Sequence, residues 1–485
     1  MKIGIVGGGT AGLIAALCLQ ARLPKNEIFI VESSTIGIIG VGEGSTEHWK
    51  TFCNETRIDI AELISRTDAT HKQGIYFEGW TTHTPNYFHS VGAFEIINGS
   101  IPLYEYIHES GKLLTNMLTH PEFINNKVIL GDNDSIHGTV NQYHFDTFKL
   151  NKYLHEICAS RGISTIDDTI KTVSINSDDG HIDSITGEKT EYFADFWLDA
   201  TGFAQLLTKS LGESKWVSAS KYLPNDRAIP FPTDADPSGE IRPYTRARAA
   251  SSGWVWEIPT QVRRGNGYVF SSAHLSEEQA CAELFSMTGV HIDNPRVIKF
   301  NAGHMDKMWV KNCVSIGLCG SFVEPLEATS ISTSIQQAFL LSTFLSTYKK
   351  GNTASINRYN KIMDEFHQNL IAMISLHYVS DRRDSSFWND CSLMERPEYL
   401  QNLLDLWQER PPAVSDISLN GYELFQTAHF WHVAQGQGVL PRHISSIALD
   451  NTGLRKTASD TLSKTRNDIL NQKVTPHAAI FKKEK

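Results

Sequence analysis

Lys2-Ile3-Gly4-Ile5-Val6-Gly7-Gly8-Gly9-Thr10-Ala11-Gly12 decides the fold. Residues 2 to 6 are a short apolar strand, and Leu13 to Leu23 reads as a helix. Glu27-Ile28-Phe29-Ile30-Val31-Glu32 is a second strand, so the segment is a β-α-β unit with a parallel pair. Gly7, Gly9 and Gly12 match GxGxxG between strand and helix. The first glycine permits the tight turn, the second lets the backbone approach a pyrophosphate, and the third lets the helix pack on the strand. The helix N-terminus then faces the anion. Glu32 ends the second strand 20 residues after Gly12, where a carboxylate can accept hydrogen bonds from a ribose. Gly7, Gly9, Thr10, Ala11, Gly12 and Glu32 are therefore expected to bind a dinucleotide. The bland alternative is a glycine-rich turn that only packs. Fold logic alone does not choose between FAD and NAD.

The chain has 485 residues, enough for two or three modules with a sizeable core. Hydrophobic residues make up 41% and aromatics 10%, as in a globular protein. A formal net charge of -10 repels polyanions, which argues against nucleic acid or an anionic membrane as partner. Seven cysteines form no CxxC pair and are odd in number, which fits reduced thiols better than a disulfide framework. The start runs directly into a strand without a signal-peptide pattern, and no window approaches a spanning helix. A cytoplasmic protein is expected. No HExxH or Cys/His zinc pattern occurs among the 19 histidines, so no metal is expected.

Later strands are legible at Asp195–Asp199 and Cys313–Gly317, and Gly265–Phe270 reads as a turn entering a strand. From about Ile331 apolar residues recur at helical spacing through Ile335, Phe339, Leu340 and Phe344, then Ile362, Phe366, Leu370 and Ile374. Lys349-Lys350-Gly351-Asn352 suggests a turn. The expected division is a catalytic module over 1–350 and a mainly helical substrate cap over 351–485.

Gly253-Trp254-Val255-Trp256-Glu257-Ile258-Pro259 carries the most specific signal. In an extended segment alternate side chains share a face, so Trp254 and Trp256 would present one broad wall. An aromatic pair packing a sheet face is the bland reading. The stretch matches GWxWxIP, and the chain resembles the flavin-dependent halogenases, the tryptophan halogenases in particular. Further resemblances follow. Asp199-Ala200-Thr201-Gly202 resembles the flavoprotein D-x-[ST]-G element, and Ile39–Thr46, with Gly42 and Glu43, resembles the loop over the flavin. Lys311–Gly317 matches the late strand, ending on Gly317. Ala69-Thr70-His71-Lys72-Gln73-Gly74 resembles the segment around the family's catalytic lysine, and Phe322-Val323-Glu324-Pro325-Leu326-Glu327 its FVEPLE segment.

The resemblance implies an α/β fold like the flavoprotein monooxygenases: a Rossmann-type FAD module, a mixed-sheet substrate region and a mainly helical C-terminal module. It implies FAD as cofactor, used as FADH2, with Asp199, Gly202 and Gly317 beside it. It further implies that chloride or bromide is oxidised to hypohalous acid, which would travel to Lys72 and Glu327. A lysine can hold it by hydrogen bonding or form a haloamine, and a carboxylate can take the proton from the arenium intermediate. The tryptophan wall would separate flavin from substrate. No second nucleotide fingerprint is present, so a separate NAD(P)H-dependent flavin reductase would supply FADH2. A homodimer is common in the family.

Two departures from the family pattern matter. EPLE is followed by Ala328-Thr329-Ser330 where the family has Ser-Thr-Gly, and the backbone amides at Thr329 and Ser330 would be the halide site. If the glycine position requires positive φ, Ser330 is strained by about 1 kcal/mol or more. In the substrate region His89 is kept, but Val91 replaces an aromatic. Phe425, Phe430 and Trp431 supply aromatics, while the glutamate that would grip an amino-acid ammonium falls near Asn420. An electron-rich aromatic such as an indole is therefore expected to be a better substrate than free tryptophan. The alternatives are a flavin aromatic hydroxylase, whose usual Gly-Asp is missing at Gly317-Leu318, and a catalytically silent flavin-binding protein.

Overall fold

The computed structural model describes residues 1–38, 40, 43–90, 101–131, 142–417, 421–445 and 447–483. Gly42, Val91 and Asn420 lie outside the described residues, as does the side chain of Glu43. The chain forms two compact units, each assembled from three segments. Unit 1 comprises Met1–Asp68, Phe145–Ala219 and Asn301–His367; unit 2 comprises Ala69–His144, Ser220–Phe300 and Gln368–Lys485. The Lys349–Asn352 turn lies between helices Thr329–Leu345 and Thr353–Leu376. Residues 351–367 of the expected cap fall in unit 1.

Unit 1 is built on a six-stranded sheet in the order Trp309–Val310, Cys313–Ser315, Phe196–Asp199, Lys2–Val6, Glu27–Glu32, Ser164–Asp167. All its pairs are parallel except the first, a hairpin. The expected β-α-β unit is present as Lys2–Val6, helix Thr10–Arg22 and Glu27–Glu32. Its strands are apolar and buried, as strands covered on both faces must be. Eight consecutive residues of the helix, Gly12 to Leu19, are buried.

Unit 2 is organised on a seven-stranded sheet: Ile298–Lys299, Arg227–Asp234, Arg263–Phe270, Gly253–Pro259, Thr245–Ala249, Gly74–Glu78, Asn86–Ser90. It is antiparallel apart from the pairing of Thr245–Ala249 with Gly74–Glu78. The expected turn at Gly265 is absent: Arg263–Phe270 is one continuous strand, paired with Gly253–Pro259 from Arg264 to Phe270. Gly267 packs beneath a large ring rather than bending the chain. Gly267 lies opposite Trp256, whose indole would sit 2.0 Å from any added Cβ. The other face of the sheet is the core of Ile229, Val255, Tyr268 and Phe270 against Ala280 and Leu284 of helix Glu277–Thr288. Helices Glu398–Glu409, Thr427–Gly436 and Thr452–Leu470 are among the helices of this unit.

Candidate active site

The glycine loop has the geometry its spacing predicts. Gly7 has φ 112°, and an added Cβ would lie 2.3 Å from the Ala200 carbonyl. At Gly12 an added Cβ would lie 2.1 Å from the Gly7 carbonyl, so helix and strand touch only because no side chain intervenes. Gly9 is different: it caps helix Thr10–Arg22 without a side-chain cap, and nothing lies within 4 Å of its Cβ direction. The first-turn N–H groups thus have neither intrahelical nor capping partners, and the space before them is open. These residues fit a pyrophosphate.

Two residues that the sequence reading passed over brace this loop. The Gly8 carbonyl accepts hydrogen bonds from Asn151 Nδ2 at 2.9 Å and His155 Nε2 at 3.1 Å. His155 Nε2 also lies 3.3 Å from Glu32 Oε2. Asn151 and His155 are one turn apart on helix Thr147–Ser160, a spacing that puts them on one face. That spacing was the available signal, but only the tertiary fold says what the face meets.

Asp199 is fully buried and its carboxylate is occupied. It accepts from the Thr201 backbone N–H and hydroxyl at 3.1 and 2.6 Å, and from the Thr208 backbone N–H and hydroxyl at 2.8 Å each. Asp199 therefore shapes the loop that carries Gly202 rather than offering a free oxygen to a ligand. Gly317, with φ 62°, lies against the glycine-loop helix; an added Cβ would be 2.5 Å from Ala11 Cβ. Thr46 ties the loop after Gly44 to helix Thr329–Leu345 by a 2.6 Å hydroxyl contact with Ser332.

Lys72 ends the three-residue strand Thr70–Lys72 and is 2% exposed. The strand pairs antiparallel with Gln142–Phe145, placing Lys72 opposite Gln142 and Thr70 opposite His144. A polar chain runs beside the lysine. The Thr70 hydroxyl donates to the Pro259 carbonyl at 2.7 Å, so it accepts from His144 Nδ1 at 3.3 Å; His144 Nε2 then accepts from the Thr245 hydroxyl at 2.9 Å. Burial, with added repulsion from Lys72 and His477, holds the His144 pKa well below the usual histidine range. Its neutral imidazole adds no charge next to the lysine.

Trp254 and Trp256 share one face, ring centroids 6.0 Å apart, with Trp80 6.3 Å beyond Trp254. Val255 points the other way, into the sheet core. The buried Trp256 indole N–H has no acceptor among the described residues.

Glu327 is 2% exposed and ends the short 3₁₀ turn Pro325–Glu327, directly before helix Thr329–Leu345. Here the structure corrects the expectation about Ser330. Ser330 is the second residue of that helix, and the left-handed residue is Ala328, with φ 55°. Thr329 and Ser330 thus offer first-turn N–H groups, and Ala328 provides no side-chain cap to compete for them. Ala328→Gly should relieve roughly 0.5–1 kcal/mol of strain, read as a higher urea midpoint. Unchanged stability would contradict this placement of the strain.

In unit 2, His89 is fully buried, its ring 5.5 Å from that of His429 and 5.9 Å from that of His432. Phe425 packs on His429, Trp431 on Tyr104 and His108, and Phe430 on Trp407. The Trp431 N–H donates to the Pro412 carbonyl at 3.1 Å. Burial, then His89 and His429, holds the His432 pKa well below the usual range. The sequence reading also missed Glu423, a buried carboxylate three residues beyond Asn420 that accepts from the Gly421 N–H at 3.1 Å. Among the described residues no group of three or more His, Cys, Asp or Glu is placed to hold a metal. No described helix is long and apolar enough to cross a membrane.

A protein-family model described as tryptophan halogenase matches residues 2–451. The chain belongs to the tryptophan halogenase family. It is 30% identical over 452 residues to the 7-chloro-L-tryptophan 6-halogenase KtzR of Kutzneria sp. (strain 744), covering 85% of this chain and 86% of that protein. Among solved structures it is similar to BrvH, a flavin-dependent halogenase from Brevundimonas sp. BAL3, with TM-score 0.86 and 27% identity over 100% of this chain and 99% of that one. It is likewise similar to a tryptophan halogenase from Shewanella frigidimarina NCIMB 400, with TM-score 0.89 and 26% identity over 100% and 97% of the two chains. Family membership makes this tryptophan halogenase homologue a flavin-dependent halogenase, an oxidoreductase with the expected α/β architecture. It sets aside the hydroxylase reading.

Proposed function

We propose that this chain is the halogenating half of a two-component system, with Lys72 as the catalytic amine and Glu327 as the catalytic carboxylate. The observation that carries the reading is the burial of both groups, each 2% exposed, at the positions that match the family's catalytic segments. A solvated lysine on a surface strand would be snorkelled into water. FADH2, delivered by a separate NAD(P)H-dependent reductase, supplies with O2 the two-electron oxidation that turns chloride or bromide into hypohalous acid.

The chain's own residues do the rest. Gly7, Gly9, Thr10, Ala11, Gly12 and Glu32 hold the dinucleotide, with Asp199, Gly202 and Gly317 setting the loops around it. The Thr329 and Ser330 amides bind halide at a helix N-terminus, where the dipole favours an anion. Trp254 and Trp256 wall the passage to Lys72. The amine either hydrogen-bonds the hypohalous acid or becomes a haloamine, releasing water. Glu327 orients the electrophile and accepts the ring proton as the carbon–halogen bond forms.

The substrate is an electron-rich aromatic, of indole type rather than free tryptophan, bound beside His89, Phe425, Phe430 and Trp431. The neutral imidazole of His432 supports this, because it offers a zwitterion's carboxylate no cation. Buried Glu423 supports a second reading, a substrate that keeps an amine. Reactions with reductase, FAD, and chloride or bromide separately, on indole, tryptamine, tryptophan and a phenol, decide between them by product mass. We expect indole to exceed tryptophan in kcat/KM by at least about tenfold, about 1.4 kcal/mol. Efficient regioselective halogenation of tryptophan would overturn the substrate assignment. Absence of any halogenated product across the panel would leave a catalytically silent flavoprotein.

A further inference from the structure

Strand Thr70–Lys72 is the edge of its small sheet and only three residues long. Successive residues point to opposite faces, so a slip of one residue would exchange Lys72 for His71. Such a strand needs a register lock beyond its pairing with Gln142–Phe145.

The lock comes from the C-terminal segment, beyond the residues the family model matches. His477 is fully buried, and its Nε2 accepts the His71 backbone N–H at 3.3 Å. Its Nδ1 donates to the Ile241 carbonyl at 3.2 Å. Burial holds its pKa down at about 4, so the ring is neutral and one tautomer satisfies both contacts. The outer edge of the strand is thereby closed at His71 by an imidazole, and just beyond it the Gln73 N–H donates to the Pro243 carbonyl at 2.6 Å. The His71 ring, on the face opposite Lys72, stacks on Phe481 at 5.5 Å and 19°, with Tyr143 at 5.7 Å and His477 at 5.6 Å. The segment is itself anchored. Val474–Pro476 pairs antiparallel with Lys127–Ile129, and the His477 N–H donates to the Asn126 carbonyl at 2.9 Å.

We propose that His477 and Phe481 are positioning residues for the reaction: they latch the strand through His71 and so fix the reach of the Lys72 amine. The inference rests on the assignment of Lys72 as the catalytic amine. Neither residue touches the reacting atoms. Their loss leaves flavin oxidation intact and lets the oxidant escape, because an amine displaced by about an ångström loses its near-attack geometry.

The test is coupling in the full chain, measured as halogenated product, hypohalous acid caught by an added scavenger, and hydrogen peroxide per FADH2 oxidised. His477→Ala and Phe481→Leu should each lower the product fraction roughly tenfold to a hundredfold, with trapped hypohalous acid and peroxide together rising to match. FAD affinity and the KM for the aromatic should stay unchanged while kcat falls. His477→Gln should recover part of the coupling, since an amide can accept at one end and donate at the other. That rescue, and the split of kcat from KM, are effects a general loss of stability would not give. If His477→Ala does not fold, Phe481→Leu and His477→Gln carry the measurement. Full coupling in folded Phe481→Leu, or His477→Gln no better coupled than a folded His477→Ala, overturns the latch. Lys72→Ala run in parallel separates the two failures. If it still halogenates, the lysine assignment has failed; if it is silent while the latch variants are fully coupled, only the latch has failed.

Discussion

Lys72→Ala will form no detectable halogenated product, a loss of at least about 10²–10⁴-fold, while FADH2 oxidation and peroxide release continue. The reason is the division of labour within the chain. Lys72 belongs to unit 2, whereas the glycine loop and Glu32 belong to unit 1. Removing the amine therefore leaves untouched the residues proposed to hold the dinucleotide. Truncation at a buried site also removes methylenes, at a stability loss of a few kcal/mol at most, so melting temperature is measured alongside. Lys72→Arg distinguishes two roles. A guanidinium can still donate hydrogen bonds, but it stays protonated and cannot become a haloamine. If Arg restores activity, hydrogen bonding suffices; if it is as silent as Ala, covalent transfer through the amine is favoured. Loss of FAD binding in Lys72→Ala would contradict the assignment altogether.

The second large effect is a contrast between two glycines of one loop. Gly12→Ala places a methyl 2.1 Å from the Gly7 carbonyl oxygen. That is backbone against backbone, with no flexible tip to give way, so helix Thr10–Arg22 must move off strand Lys2–Val6. The variant should lose FAD binding and a large part of its stability, by roughly 2 kcal/mol or more from overpacking. Gly9→Ala has open space around the new methyl. It should fold and melt like the parent without flavin, yet bind FAD at least about tenfold more weakly, because the methyl occupies the approach of the pyrophosphate. Equilibrium titration with FAD and melting curves with and without it read both effects. Equal FAD affinity in Gly9→Ala and the parent would show that the pyrophosphate is not held there.

Local pattern made part of this legible. Apolar runs of strand length flanking three spaced glycines specify a β-α-β unit without help from distant residues, and Trp254 and Trp256 declared their shared face by alternation alone. What local pattern could not carry was partnership over long separations. Asn151 and His155 meet Gly8, and His477 meets His71, only through tertiary folding. The glycines at 265 and 267 read as a turn because glycine commonly breaks strands, but here the missing side chain makes room for Trp256. Strain was sought at Ser330, the departure from the family pattern, whereas the αL residue is Ala328, set by how the 3₁₀ turn enters the helix. Sequence supplied the candidate residues, and the enclosure of Lys72 and Glu327 came from packing.

The interleaving of the two units bears on how the protein is made. Strand Phe196–Asp199 lies between Lys2–Val6 and Cys313–Ser315, so the central sheet of unit 1 is incomplete until the latter leaves the ribosome. At roughly 5–20 residues per second, tens of seconds pass between the opening strands and this last parallel strand of their sheet. Throughout that interval an apolar sheet edge stands uncovered, so abundant holdase chaperones should raise the yield of native enzyme.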